Sequence, residues 1–571
     1  MTTRMRFVIL SVFLLLLFLP TLSTNNVSTW KQGLTPNYSL SQTSSDSIDY
    51  LIITSENFVS AAQPLATWKM QRGLVSAIVT VETISTSYPG NDLAEKIRNC
   101  IIDYHSNHNT LWVVLAGGEY VIPTRTVATN NRHVISDSYY SILHDNWDLK
   151  EDGDVTLSDS DDWEAEVYVG RLPADYEPQL SSLVSRLVQY EKNPPLGPWM
   201  KHAVFAGTFC NFDRDLNDND VFDEEDFPEF DTNRNHNWMK ANILPSGWTS
   251  TLLAECEGLK TTDFPYDAQL NRTSLVYAIN NGASIVMADA HGSPTEMYRT
   301  IFTYDEDGDC LFDPGVDNVQ STCFLNKYTE FETEGKLAMY FFAACSTGTF
   351  IGRDCLTEYI ARNSGIGCIG SSGSAGYDPY WYDGNHLGWL SQGLSERFWE
   401  QLLVLGNNHP GKALALAKYD YGLDRVEMDG EDDGGKTLAQ YNLMGDPEVP
   451  IWIDVPSSFE DPEVEVVESS RELIIDVAGV SSTTEGILIT LHGRNYYQRA
   501  IIQDVDALSF SLPDLTEPEN ITITLSKNGS IPFQIVYEVP AGSRGINYLP
   551  VVSSVLIIAV IIVVVKKVKF S

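Results

Sequence analysis

Two short segments carry the residues able to do chemistry. Ser284-Ile285-Val286-Met287-Ala288-Asp289-Ala290-His291-Gly292-Ser293 ends an apolar run on a histidine. Leu337-Ala338-Met339-Tyr340-Phe341-Phe342-Ala343-Ala344-Cys345-Ser346 ends another on a cysteine, 54 residues after that histidine. A thiolate attacks carbonyl carbon, and an imidazole that titrates near neutrality takes up and returns the proton that such a reaction moves. Apolar runs of this length read as buried strands of a parallel sheet, whose chemistry lies just beyond the strand carboxyl ends. His291 and Cys345 are therefore expected to meet at one sheet edge, in the layout of a cysteine–histidine dyad.

The elements that must position them follow an alternating pattern. Strands are expected at 50–54, 77–81, 111–116 and 166–170, with helices at 61–72, 92–105 and 179–192 between or after them. Pro194, Pro195 and Pro198 mark a boundary. A second block has a strand at 203–207, a helix at 267–280 leading into the histidine strand, a helix at 355–362, a strand at 365–370 and helices at 389–405 and 411–421. Strands alternating with helices of this length imply βαβ units and a parallel sheet. Beyond Pro456 short strands at 464–467, 472–477, 486–492, 507–512, 521–526 and 533–538 read as an all-β sandwich of Ig size.

In this order the motifs resemble the gingipain-type (C25) cysteine peptidases, of the caspase-like clan. Tyr50-Leu51-Ile52-Ile53-Thr54 with Trp68, Gln71 and Gly73 resembles that family's opening strand and helix, and Trp112 to Gly118 with Ile122-Pro123-Thr124-Arg125 its third strand and turn. Ser136-Asp137-Ser138-Tyr139-Tyr140 and Glu166 to Pro173 resemble the close of its first subdomain, and Tyr441-Asn442-Leu443-Met444-Gly445-Asp446-Pro447 the end of the peptidase domain. The resemblance implies a parallel-sheet α/β/α peptidase domain in two subdomains, 48–195 and 196–455, followed by the β-sandwich at 456–542. It implies Cys345 as nucleophile, His291 as its proton partner, and the N–H groups of Gly292 and Cys345 as an oxyanion hole. A third acid often orients the histidine in this family; Glu224, Glu225, Asp226 and Asp289 are candidates by position, with Asp289 set two residues back toward the sheet interior. The Gln-Ala-Cys pattern of caspases themselves is missing.

Charge and the two ends of the chain bound the rest. Residues 1–24 read as a secretory signal, with Arg4 and Arg6 before an apolar stretch, and 25–47 as a Ser/Thr/Asn-rich linker. Residues 548–565 read as one membrane-spanning helix, with Lys566, Lys567 and Lys569 in a cytoplasmic tail at 566–571. The expected product is a single-pass cell-membrane protein with a large extracellular part carrying about −45 charges. Such an acidic exterior argues against nucleic acid and anionic lipid surfaces as partners; the family resemblance implies protein or peptide substrates. Eight cysteines are too few for a disulfide scaffold in 571 residues, with Cys310 and Cys323 suggesting a local staple on sequence proximity alone.

Three acidic loops offer oxygen ligands for calcium. The first has Asp213, Asp215, Asn217 and Glu224 at EF-hand-like spacing, although Asp218 replaces the usual glycine. The others are Asp305, Asp307 and Asp309, and Asp148 with Asp152 and Asp154. The family resemblance implies structural calcium; ten unclustered histidines make no case for zinc, and no organic cofactor is expected. The leading expectation is a calcium-stabilised cell-surface cysteine endopeptidase. A catalytically silent binding or adhesion protein on the same frame, or a transpeptidase using the same acyl-enzyme, would be told apart by labelling of Cys345 and by product analysis.

Overall fold

The computed structural model describes residues 47–541 except 130–131, 145–146, 148–162, 215–227, 378–387, 425–432, 461–462, 468–471, 478–485, 495, 503–506 and 513–514. The expected signal, linker, membrane helix and tail lie outside them. Among the described residues no helix is long and apolar enough to cross a membrane.

An eleven-stranded sheet organises the chain. One half runs Ala268–Gln269, Thr249–Ala254, His202–Gly207, Ile285–Asp289, Ala338–Ala343 and Gly365–Ser371, all parallel. The other half runs Tyr441–Gly445, Tyr168–Leu172, Trp112–Ala116, Tyr50–Thr54 and Ser76–Thr80, also parallel among themselves. The halves meet at one antiparallel seam, where Gly367 faces Gly445 and Ser371 faces Tyr441. The strand Tyr441–Gly445 thus completes the half of the sheet built by residues 50–172, so the two halves do not divide at Pro194–Pro198.

Neighbouring residues of the central strands serve different cores. Ile285 and Met287 pack with Met339, Phe341 and Ala343, whereas Val286 and Ala288 pack with Ala338, Tyr340 and Phe342. Both faces of the sheet are covered, which is why these strands read as unbroken apolar runs.

The opening and closing motifs form one buried cluster. Lys69, on the helix Val59–Gln71, lies 2.7 Å from Glu191, 2.8 Å from Asp446 and 2.5 Å from Glu448, and Tyr50 donates to Asp446 at 2.8 Å. Charges this deep are tolerated only when paired. The pairing explains why Gly445-Asp446-Pro447 belongs with the first helix, although Asp446 lies 396 residues beyond Tyr50.

Several boundaries differ from expectation. The helix expected over 267–280 begins at Arg272, because the Asn271 side chain accepts the Ser274 N–H at 3.0 Å and caps it, while Ala268–Gln269 joins the sheet edge. The strand expected at 166–170 runs Tyr168–Leu172, which turns Arg171 inward. Residue 81 opens the helix Val81–Ser87 rather than ending a strand, capped by Thr80. The helix expected over 389–405 is α-helical over Leu390–Trp399 and finishes in a π turn, Glu400–Val404. A long hairpin, Glu296–Tyr304 with Asn318–Asn326, and the helix Asn233–Asn242 were not expected.

The C-terminal part has two antiparallel sheets of three and four strands, sharing a core of Leu473, Ile475, Phe510, Ile489, Leu491, Ile521 and Ile523. One strand, Tyr497–Ile501, goes beyond those expected. This part rests on the helix Val59–Gln71, where Gln534 donates to Gln71 at 2.9 Å, and on the start of the first strand, where Arg499 pairs with Asp49 at 2.7 Å. Gly73, at φ +98°, leaves room for Leu488, whose Cδ2 would stand 2.4 Å from any Cβ there.

Candidate active site

The register of two neighbouring strands sets the site. Ile285–Asp289 and Ala338–Ala343 run parallel with Asp289 beside Ala343. His291 and Cys345 each lie two residues further along, so the pairing carries both past the same edge. The chains stay together there, with the Ala290 N–H 3.4 Å from the Ala343 carbonyl. A Cβ on Gly292 would stand 2.6 Å from the Cys345 carbonyl oxygen and 3.0 Å from Thr347 Cγ2. Only glycine fits this approach.

His291 is held by main chain. Its Nε2 lies 2.9 Å from the carbonyl oxygen of Cys210, on the short strand Phe209–Asn211. A carbonyl only accepts, so Nε2 carries the proton and Nδ1 is the basic nitrogen. Tyr298, opposite His291 in the hairpin, stacks on the ring at 5.6 Å and 15°. Burial pushes the His291 proton affinity down, and the Cys210 carbonyl pulls it back up.

Cys345 is half-buried and free. The Ala375 N–H donates to its Sγ at 3.3 Å. Ser346, at φ +60°, turns the chain sharply and donates its N–H to Gly373 at 2.7 Å, and Gly348 donates to Ser371 at 2.7 Å. The loop after Gly365–Ser371 is thereby laced to the cysteine loop. The Ser293 N–H bonds Glu296 at 2.8 Å; antiparallel alternation then turns the Gly292 N–H away from the hairpin. That leaves it facing the cysteine side.

The expected third acids divide. Asp289 is buried and turned toward the helix Asn233–Asn242, with His236 Nε2 at 3.6 Å and Asn235 Nδ2 at 3.3 Å. His291 is oriented instead by the Cys210 carbonyl. Glu224, Glu225 and Asp226 lie outside the described residues. So do Asp215, Asn217, Asp148, Asp152 and Asp154 of the calcium loops. Asp213 accepts the Glu229 N–H at 2.7 Å and lies 3.5 Å from Lys260, which Glu229 also pairs at 2.7 Å. Asp305, Asp307 and Asp309 do converge, with one carboxylate oxygen from each within 4.8 Å of the others. Cys310 and Cys323 are both free. Cys323 pairs opposite Tyr298, five residues from the hairpin end at Asn318, roughly 16 Å along the strand, so no staple forms.

Comparison with known proteins decides the lineage. The family model described as Peptidase family C25 matches residues 43–452. The chain belongs to peptidase family C25. Its class is therefore that of the cysteine-type peptidases. Among curated relatives this C25 chain is 21% identical over 494 residues to Gingipain R1 of Porphyromonas gingivalis, covering 83% of the chain and 41% of that protein. To Gingipain R2 of the same organism it is 20% identical over 492 residues, covering 83% and 55%. It thus spans roughly two fifths to one half of the length of these two relatives. In fold the C25 chain is similar to the crystal structure of the Arg specific cysteine proteinase gingipain R, with TM-score 0.60 and 17% identity over 88% of the chain and 100% of that structure. It is likewise similar to the complex of Porphyromonas gingivalis RgpB pro- and mature domains, with TM-score 0.58 and 16% identity over 86% and 100%.

Sequence reasoning missed the Cys210 carbonyl, the Ala375 N–H and the Tyr298 ring. The first two are main-chain groups, which no residue type announces. Tyr298 could have been found only by expecting the hairpin after Gly292.

Proposed function

We propose that this C25 chain is a cysteine endopeptidase with Cys345 as nucleophile and His291 as its proton partner. The observation that carries the reading is the juxtaposition of Gly292 with the Cys345 carbonyl, next to a histidine whose Nε2 is already committed to Cys210. His291 Nδ1 takes the thiol proton. The thiolate then attacks the scissile carbonyl carbon, forming a C–S bond while the carbonyl electron pair moves onto oxygen. The Gly292 and Cys345 N–H groups stabilise that oxygen, where donors fixed in advance are worth most. Collapse breaks the C–N bond, and the departing amine takes the proton from His291. Water, deprotonated by His291, next attacks the thioester and releases the acid and the thiolate.

Calcium is proposed as a stabiliser at Asp305, Asp307 and Asp309. Their donor set is all oxygen, as a hard cation requires. Asp305 accepts the Gly308 N–H at 2.7 Å and the Cys310 N–H at 3.0 Å, which shapes the loop around its carboxylates. We read the C-terminal two-sheet part as an Ig-like spacer and residues 548–565 as the anchor of a cell-surface protein; deletion of 546–571 should release the protein from membranes. Proteins or peptides are the proposed substrates.

The test uses the full chain in detergent with calcium and reductant, against fluorogenic peptides varied at the residue before the cleaved bond, beside Cys345→Ala. Cleavage lost in that variant supports the endopeptidase and reads its preference. If the wild type neither cleaves nor becomes labelled at Cys345 by a peptidyl electrophile, the reading fails and a silent binding protein replaces it. Transfer to an added amine instead of water would make it a transpeptidase.

A further inference from the structure

A main-chain carbonyl that orients a catalytic histidine must itself be held in place. Phe209–Asn211, which carries the Cys210 carbonyl, pairs with Phe230–Asp231. The next residue, Thr232, is completely buried. Its hydroxyl touches three main-chain groups. It accepts the Thr208 N–H at 2.9 Å, and lies 3.0 Å from the Thr208 carbonyl and 3.1 Å from the Asp289 carbonyl. The Thr208 carbonyl already receives the Thr232 N–H at 3.1 Å. The single hydroxyl proton is therefore available to Asp289.

The positions of these groups matter more than their number. Thr208 stands two residues before Cys210, and Asp289 two residues before His291. Their strands, His202–Gly207 and Ile285–Asp289, are parallel neighbours with Asp289 beside Gly207. One hydroxyl thus spans the two chains just before the point where Cys210 meets His291. The same segment closes on the Asp289 side chain through Asn235 and His236, and Thr208 Oγ1 receives the Thr300 N–H of the hairpin at 3.3 Å.

We propose that Thr232 is the positioning residue of the dyad, its hydroxyl holding the Cys210 carbonyl where it keeps the His291 Nε2 proton and so turns Nδ1 toward Cys345. The proposal rests on the peptidase reading above for its kinetic arm. A methyl in place of the hydroxyl leaves a buried N–H and a buried carbonyl unpaired and lets the two strands drift. Misplacement by about 1 Å costs on the order of a hundredfold in rate.

The experiment compares Thr232→Val with Thr232→Ser in the full chain. Thr232→Val should lower kcat by about tenfold or more with KM unchanged. It should also move the acidic limb of the kcat–pH profile to lower pH, because losing the acceptor that favours the imidazolium lets His291 become the free base at lower pH. The Cys210 carbonyl and the Tyr298 ring face His291 and are the same in every variant. Thr232→Ser should recover most of the rate and the wild-type limb. A valine variant with wild-type kcat and limb, or a serine variant as impaired as valine, overturns the proposal.

A second reading is independent of catalysis and of the valine variant's folding. In protein carrying 15N-histidine, the His291 Nε2 proton should exchange slowly in wild type and in Thr232→Ser, with His291→Gln identifying the signal. A wild-type Nε2 proton that exchanges as fast as those of exposed histidines overturns the proposal. A slow proton in a chain that neither cleaves nor labels would leave the brace standing and remove the peptidase reading.

Discussion

Arg171 grips Asp137 with two hydrogen bonds of 2.8 Å, through Nε and one terminal nitrogen, and both side chains are shut away from solvent. The guanidinium also donates to the carbonyls of Ile122 at 2.8 Å and Gly117 at 3.2 Å, and Phe350 of the cysteine loop lies over it at 5.0 Å. One arginine therefore joins the strand Tyr168–Leu172 and the segments around Ile122 and Asp137 to the loop that follows Cys345. Removing one partner of a buried pair leaves the other unpaired, at a cost of about 3–5 kcal/mol. Asp137→Ala should lose about that much stability in urea unfolding, and should lower cleavage more than binding.

Gly292 predicts a sharper effect on chemistry. Gly292→Ala would drive its methyl into the Cys345 carbonyl and Thr347. Displacing the main chain at the proposed oxyanion donors should cost on the order of a hundredfold in kcat, with little change in melting temperature. Steady-state kinetics beside a thermal melt would separate the two.

Glu396 carries a pH signature. Burial, with Asp289 as a lesser contributor, pushes its carboxyl up to about 8. In the unfolded chain it ionises near 4.5. The folded state therefore holds a proton that the unfolded state has lost across that window. Its contribution is full below about pH 4.5 and is lost as pH rises toward 8, at about 1.4 kcal/mol per unit. Glu396→Gln should flatten this decline in melting temperature against pH, relative to wild type.

Much of this frame was legible from residue types. The strands that carry His291 and Cys345 are buried on both faces, so an apolar run was enough to find them. The helix Asn233–Asn242 was hidden because Asn-Arg-Asn-His-Asn has poor helix propensity and little apolar periodicity; packing against the sheet overrides both. The hairpin was hidden because its acidic tip reads as an isolated loop. The partner of His291 could not be read at all, since every residue has a carbonyl.

Calcium removal gives a fourth prediction. Saturation at about a hundred times Kd adds about 2.7 kcal/mol, so a chelator should lower the melting temperature of wild type. Asp305→Asn with Asp309→Asn should abolish that response, with His291 and Cys345 untouched.

The seam between Gly365–Ser371 and Tyr441–Gly445 has a consequence for synthesis. The strand Tyr168–Leu172 waits for a neighbour that the ribosome delivers some 270 residues later. Until Tyr441–Gly445 docks, Lys69 lacks Asp446, and the cysteine loop has no finished wall to lean on. A nascent chain of this length thus carries Cys345, the proposed nucleophile, for many seconds before the last strand closes the frame around it, at about 5–20 residues per second.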